Sequence, residues 1–407
     1  MFIGLDTPLP FSAPWAVPFE VRRAWLNGGE LRVAYIYELE DTSTFRYRVF
    51  NMVEALRAEP EQQISATWFT RAEFHTNQSF VDDCDVIVVC RTRYDEGIAR
   101  LVERARARKV KVIFDVDDLV FDLSMVQYIM EAIGVSTTSE QNWDYWYSYI
   151  GRLRATLDLC DAAIATTQPL ADRLSAATGL RCAVLPNYLN QRQTEVSKML
   201  LDRKQSTGYQ RDGWVTCGFL SGSPTHLRDL QIASPALAGA MIRHPDLRIQ
   251  LVGFAELDEH LRPFANRVDR APLQDYLNLQ RLTAQCEFCV VPLAMNVFSR
   301  CKSELKFFET GIVECPIIAS PIPAYQSTIV DGVNGHLALA QQWHEKVEEA
   351  YNLAVEGGAD YRSITAAAYR SSTERYAWDT QGSRIASTLS TLLDQAPTVP
   401  GHARRGN

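Results

Sequence analysis

Short, unbroken apolar runs alternate with amphipathic stretches along almost the whole chain. LRVAYIY (31–37), ISATWF (64–69), DVIVVC (85–90), VKVIF (110–114), AAIAT (162–166) and CAVL (182–185) form one series. WVTCGF (214–219), LRIQLVG (247–253), EFCVVPL (287–293), PIIAS (316–320) and GHLAL (335–339) form a second. Runs that are apolar at successive positions, rather than at alternate ones, predict strands buried on both faces, and therefore parallel sheets covered by helices. Two such series predict an α/β chain of two doubly wound domains.

The break between the series is polar and lacks a strand pattern (residues 186–213, PNYLNQRQTEVSKMLLDRKQSTGYQRDG). The resulting division has an N-terminal extension at 1–30, a first domain at 31–190, a linker at 191–213, a second domain at 214–371, a helix at 372–395 and a disordered tail at 396–407. Open α/β sheets bind ligands beyond the carboxyl ends of their strands. Two such domains facing each other would bring both sets of loops to a central cleft.

Composition narrows the function classes. A net charge of −8 argues against a broad nucleic-acid-binding surface. No apolar stretch reaches the length of a membrane span. The apolar N-terminus is broken by four prolines and lacks a basic leader, so it does not read as a signal peptide. The nine cysteines are scattered, several inside apolar runs, as expected of reduced thiols in a cytoplasmic protein. RLVERARARKVK (100–111) predicts a basic helix, either a solvated face or a peripheral contact with anionic lipid at the inner face of a membrane.

Chemistry-bearing residues collect after predicted strands. In KSELKFFETG (302–311), helical spacing puts Lys302, Lys306 and Glu309 within about 60° of one another, next to an apolar face of Leu305, Phe308 and Ile312. Ser303 is the expected cap and Glu304 suits the first turn. Lysines at a helix start oppose the macrodipole unless an anion sits there, which suggests phosphate binding; the other reading is a solvated face with a Lys306–Glu309 pair. In GFLSGSPTHLRDL (218–230), Gly218, Ser221 and Gly222 would let backbone N–H groups approach a phosphate, with His226 and Arg228 as further donors. In ELEDTSTFRYRVF (38–50), Thr42, Ser43 or Thr44 can cap a helix whose first turn holds Arg46 and Arg48, and Arg46 is the expected cleft residue for a donor phosphate or an acceptor. The stripe of Trp143, Trp146, Tyr147 and Ile150 reads as core rather than as a sugar-stacking platform.

Residues 302–338, KSELKFFETGIVECPIIASPIPAYQSTIVDGVNGHLA, resemble the donor-binding segment of the group 1, GT4-like superfamily of GT-B glycosyltransferases. The order of a Ser/Lys-rich helix start, a Glu, a Pro, an apolar strand, a Ser, a turn and a DGxNG loop is that family's. Residues 214–253 and 272–293, PNYLN at 186–190 and the ending RYAWDTQGSRIASTLSTLL extend the resemblance. It implies a GT-B fold with two Rossmann-like domains and a C-terminal helix crossing back to the first. It also implies a glycosyltransferase that moves a sugar from a nucleotide-diphosphate sugar to an acceptor hydroxyl on a glycan, lipid-linked glycan or small molecule, with retention and with no cofactor or metal. Under that reading Glu309 holds the donor ribose, Ser303 belongs to the donor site, and Lys306, with Lys302, His226 or Arg228, meets the charge of the leaving diphosphate. Many members carry another Glu eight residues before the ribose Glu; here that position is Cys301.

KVKVIFDVDDLVFD (109–122) places Asp115, Asp117 and Asp118 after a buried strand. Aligned with the family, Asp117 takes the place of a common His, next to the reacting sugar or acceptor, and Asp118 is a neighbouring acceptor-side candidate. Two other readings of this motif are the metal-binding DxD of a GT-A enzyme and motif I of a haloacid-dehalogenase-like phosphatase. In the second, Asp115 would be the nucleophile and Asp117 the acid/base with Mg²⁺, although Leu119 stands where that motif has Thr. A third alternative for the whole chain is a non-catalytic sugar-nucleotide-binding protein on the same fold.

Overall fold

The computed structural model describes residues 1–59, 63–222 and 229–394. His226, Arg228 and the 396–407 tail lie outside them. The chain forms two compact units. One contains Pro14–Val126, Asp144–Asn187 and the chain from Asp379 on; the other contains Met1–Ala13, Gln127–Trp143 and Tyr188–Trp378.

The first unit holds β1 (Leu31–Tyr37), β2 (Ile64–Thr70), β3 (Val86–Cys90), β4 (Lys111–Val116), β5 (Ala162–Ala165) and β6 (Cys182–Val184) in the order β2-β1-β3-β4-β5-β6. Every pairing is parallel, for example Val33 to Val86 and Val89 to Phe114. β3 is buried at every position, as its apolar run requires. The order reverses direction between β1 and β3, so the loops after these two strands diverge and leave a crevice.

The second unit holds β7 (Val215–Ser221), β8 (Leu247–Gly253), β9 (Val268–Ala271), β10 (Phe288–Val291), β11 (Ile317–Ala319) and β12 (His336–Leu337), ordered β12-β11-β10-β7-β8-β9, again all parallel. Its reversal lies between β7 and β10. β9 was not expected: it is an edge strand whose central Asp269 and Arg270 are exposed, so it has no apolar run.

The stretch 191–213, expected as a linker, is built around the helix Gln191–Ser206, which buries Val196, Leu200 and Leu201 within the second unit. The chain passes between units at Asn187–Tyr188 instead. At the other end, the helix Ala359–Tyr376 stops where Ala377 turns extended (φ −65°, ψ 139°). The returning helix is Gln381–Leu393; it belongs to the first unit, and Gly382 allows it close to the helix Asn51–Arg57, where a Cβ would lie 2.6 Å from the Ala55 carbonyl oxygen.

The aromatic stripe on the helix Glu140–Leu157 is not core. Ile150 is buried, Trp143 and Trp146 are half-buried, and Tyr147 is exposed. The basic helix is Glu96–Ala107, started by Asp95, whose carboxylate accepts from the Ile98 N–H at 3.0 Å. Arg100 pairs with Glu96, while Arg104 and Arg108 pair with Asp82. All nine cysteines are free, and all but Cys182 are buried.

Candidate functional site

In the first unit, three loops at the β1/β3 crevice hold one carboxylate. Asp117 follows β4; its two oxygens accept from Thr44 Oγ1 at 2.7 Å and from Arg91 Nη1 at 2.8 Å. Arg91 comes directly after β3 in the left-handed region (φ 41°). Burial opposes charge on Asp117, but the Arg91 charge and the bonds from Thr44 and Arg91 outweigh it and hold the carboxyl below its ordinary value. Asp117 is therefore a fixed anion near neutral pH, not a proton donor. Thr44 is expected from sequence only as a helix cap, and Arg91 has no role in the sequence reading. A cation immediately after a fully apolar strand was the available signal for Arg91.

Asp115, two residues earlier, has a different place. It is fully buried inside β4, and both its oxygens accept from Arg48, from Nε at 2.8 Å and from Nη2 at 2.7 Å. Arg48 also donates to the Leu185 carbonyl at 2.8 Å and to Asn187 Oδ1 at 3.2 Å. Burial opposes the Arg48 charge, and Asp115 more than compensates, raising the guanidinium further. A carboxylate enclosed in this way cannot attack a phosphate, which removes the phosphatase reading of Asp115. Arg46, expected as a cleft residue, is buried: its Nε donates to the Thr42 carbonyl at 2.9 Å and its guanidinium lies 3.9 Å from the Tyr47 ring centre. It opens a π-helical turn, Arg46–Phe50, rather than the first turn of an α-helix. Asp118 is half-buried in the tight turn after Asp117.

In the second unit the helix starts later than expected, at Leu305–Gly311, with Glu304 at the N-cap and no side-chain cap. Lys302 and Ser303 precede it in irregular backbone, so Ser303 is not the cap. Lys306 Nζ lies 3.0 Å from Glu309 Oε2, the i,i+3 pair. This is no solvated face, because Glu309 is only 2% exposed. The helix is clamped from behind: the Glu309 carbonyl accepts from Gln280 Nε2 at 3.0 Å, and the Val313 carbonyl just past its end accepts from Lys204 Nζ at 2.8 Å. Buried Glu304, not expected as a site residue, accepts from the Tyr376 hydroxyl at 2.7 Å. Burial first, then the charges of Glu304, Glu309 and Asp229, push the Tyr325 phenol up. Cys301 is buried and ends the short helix Val297–Arg300.

The small residues after β7 separate into two roles. Gly222 is the first residue beyond the strand, and a Cβ there would meet nothing within 4 Å among the described residues. Ser221 ends the strand, and the close approach of β8 demands Gly253 (φ +82°), since a Cβ there would lie 2.0 Å from the Ser221 carbonyl oxygen. Gly218 is not a loop residue. It lies within β7, paired with Cys289 and Gln250, and a Cβ would sit 2.5 Å from Cys289 Sγ. Its smallness serves the core, so its assignment to the donor site is corrected.

No protein-family model and no curated protein sequence matches the chain. Solved structures do match. Anabaena HepE, solved in complex with UDP, aligns at TM-score 0.59 and 16% identity over 89% of this chain and 100% of its own. A glycosyltransferase from Rickettsia africae aligns at TM-score 0.56 and 10% identity over 90% of this chain and 99% of its own. Sucrose-phosphate synthase from Thermosynechococcus elongatus aligns at 0.51 and 16%, over 89% and 98%. At these identities the likeness is one of architecture, and it covers both units: the chain has the GT-B fold of these glycosyltransferases.

Proposed function

We propose that the chain is a GT-B glycosyltransferase that takes its sugar from a nucleoside diphosphate sugar and transfers it to an acceptor hydroxyl. The observation that carries this reading is the Lys306–Glu309 pair, its carboxylate buried and its ammonium partly exposed, on a helix that follows β10, the strand at the β7/β10 reversal. HepE, of the same fold, was solved with UDP and with UDP-glucose, which makes UDP the first nucleotide to test.

In this reading Glu309 is ionised and accepts from the donor ribose hydroxyls. Lys306 is held by Glu309 until the donor arrives and then faces the diphosphate, where its charge stabilises the leaving group. Lys302 and Ser303, in the irregular backbone before the helix, and the Ser221–Gly222 strand end complete the donor side, together with His226 and Arg228. Because cations of the chain meet the diphosphate charge, this mechanism calls for no metal. Asp117, a fixed anion, suits a positive charge developing on the sugar ring or an acceptor hydroxyl that must be oriented; Asp118, next to it in the chain, is the other acceptor-side candidate, whereas buried Arg46 has no place in the reading. A retaining outcome and a glycan or lipid-linked acceptor belong to the same proposal.

Cys301 favours a second reading, a non-catalytic binder, because it stands where a sugar-contacting Glu would be. Release of UDP from UDP-sugars tests both. Transferase chemistry predicts release above background, abolished by Glu309→Ala and by Asp117→Asn. UDP binding with no release from any UDP-sugar would leave the binder.

A further inference from the structure

We propose that the second unit carries another ligand site, at the amino-terminal edge of its sheet, that takes a small phosphate ester of about the size of a sugar phosphate. A cavity of about 220 Å³ opens there, smaller than the roughly 300–1,000 Å³ of drug-sized pockets. Its walls come from segments that lead into strands rather than out of them. Tyr209 and Arg211 precede β7, and Glu314 precedes β11. Tyr361 donates its hydroxyl to the Glu287 carbonyl, one residue before β10, at 2.7 Å. The donor-side residues lie on the opposite side of these strands, Ser221 at the carboxyl end of β7, Gly222 just past it and Lys302 after β10.

The chemistry of the lining selects an anion. Lys204, Arg211 and Arg362 face Glu314 and Glu356, an excess of one positive charge. The Glu314 carboxylate is further engaged by the Tyr209 hydroxyl at 2.7 Å. Arg211 is committed to the carbonyls of Ala354 and Val355. Arg362 is not: it is exposed, near enough to Tyr209 to act on its phenol, and its side chain makes no ion pair or hydrogen bond among the described residues. A guanidinium left open at the mouth of a cavity is suited to bidentate binding of phosphate oxygens. Phe2, Tyr209 and Tyr361 give the cavity flat walls for a ring.

Lys204 ties this cavity to the donor helix. It is wholly buried, donates to the Val313 carbonyl at 2.8 Å and the Glu314 carbonyl at 3.4 Å, and lies 4.3 Å from the Phe2 ring centre. Those carbonyls follow Leu305–Gly311, the helix of Lys306 and Glu309. An anion that draws on the Lys204 ammonium changes its hold on that helix end, so occupancy of the cavity and of the donor site are coupled, and the coupling is reciprocal.

The test is calorimetric titration of the full-chain protein with glucose 6-phosphate and, separately, with inorganic phosphate. Saturable binding of glucose 6-phosphate is expected, weakened roughly tenfold or more by Arg362→Ala, which removes a charge-assisted contact, and retained in Glu309→Ala. Equal affinity for the two probes would assign the site to the free anion. The proposal is overturned if neither probe binds, or if binding survives Arg362→Ala and is lost in Glu309→Ala, which would place the phosphate at the donor loops. A UDP titration of wild type separates the two readings: failure of UDP to bind contradicts the donor reading and leaves this one standing.

Discussion

Replacing Asp115 by Asn tests how the first unit is held together and, at the same time, what the Asp115–Asp117 motif is for. The substitution keeps the shape of the side chain and removes its charge. Arg48 is then a buried guanidinium that loses the anion facing two of its nitrogens, at 2.8 and 2.7 Å; the amide oxygen can still accept one of those bonds, but the amide NH2 opposes the other donor, while the Leu185 carbonyl and Asn187 go on accepting. Removing one partner of such a pair costs about 3–5 kcal/mol, because the remaining charge stays out of water. Replacing both, as Arg48→Met with Asp115→Leu, removes the charge problem. It takes the guanidinium donor away from the Leu185 carbonyl and Asn187 Oδ1, at about 1–3 kcal/mol each at most. Urea unfolding followed by hydrogen exchange on peptides covering β3 and β4 reads the first unit specifically. The single variant should unfold at markedly lower urea and the double variant should recover part of the loss. A single variant within about 1 kcal/mol of wild type would refute the buried-pair account. A variant that stays folded but loses a phosphatase activity shown by the wild type would restore the nucleophile reading.

Gly218→Ala should destabilise the second unit by about 1–3 kcal/mol, the usual cost of overpacking, and leave UDP affinity unchanged, since its Cβ runs into the core sulfurs of Cys289 and Cys286; a calorimetric UDP titration beside a melting curve checks both. Lys306→Ala should lower donor turnover by roughly 10²–10³, the scale of losing one preorganised charge at a leaving group, with the fold intact; steady-state UDP release measures it. Asp117 has its folded pKa depressed below the ordinary 3.8. Its contribution to stability is therefore present above that ordinary value and lost as pH falls through the lower, folded one. Acid titration of stability should show this loss, and Asp117→Asn should flatten it.

The strands were legible because both sheets are parallel and covered, so their apolar runs are nearly continuous. β9 was hidden because an edge strand with Asp269 and Arg270 exposed carries no such run. The helix Gln191–Ser206 looks like a linker in sequence because its apolar positions are few and spread among charged ones; packing in the second unit, not composition, makes it part of the fold. Among site residues, the Lys306–Glu309 spacing was visible in the helical period. The different fates of Asp115 and Asp117, two residues apart, were not. They depend on Arg48 and Arg91 arriving from segments distant in sequence, one into the core and one at the strand ends. Gly218 and Gly222 look alike in a Gly/Ser-rich run, and only the pairing of β7 with β10 distinguishes a core glycine from a loop glycine.

The central claim is that a nucleoside diphosphate sugar binds beside Lys306 and Glu309. Calorimetric titration of the wild-type protein and of Glu309→Gln with UDP tests it most directly. The account predicts saturable binding of UDP to wild type, weakened by about 1.5–3 kcal/mol when the charged acceptor for the ribose hydroxyls is lost, with the melting temperature of the free protein little changed. Equal affinity in the two proteins, or no binding of any nucleoside diphosphate to wild type, would contradict it.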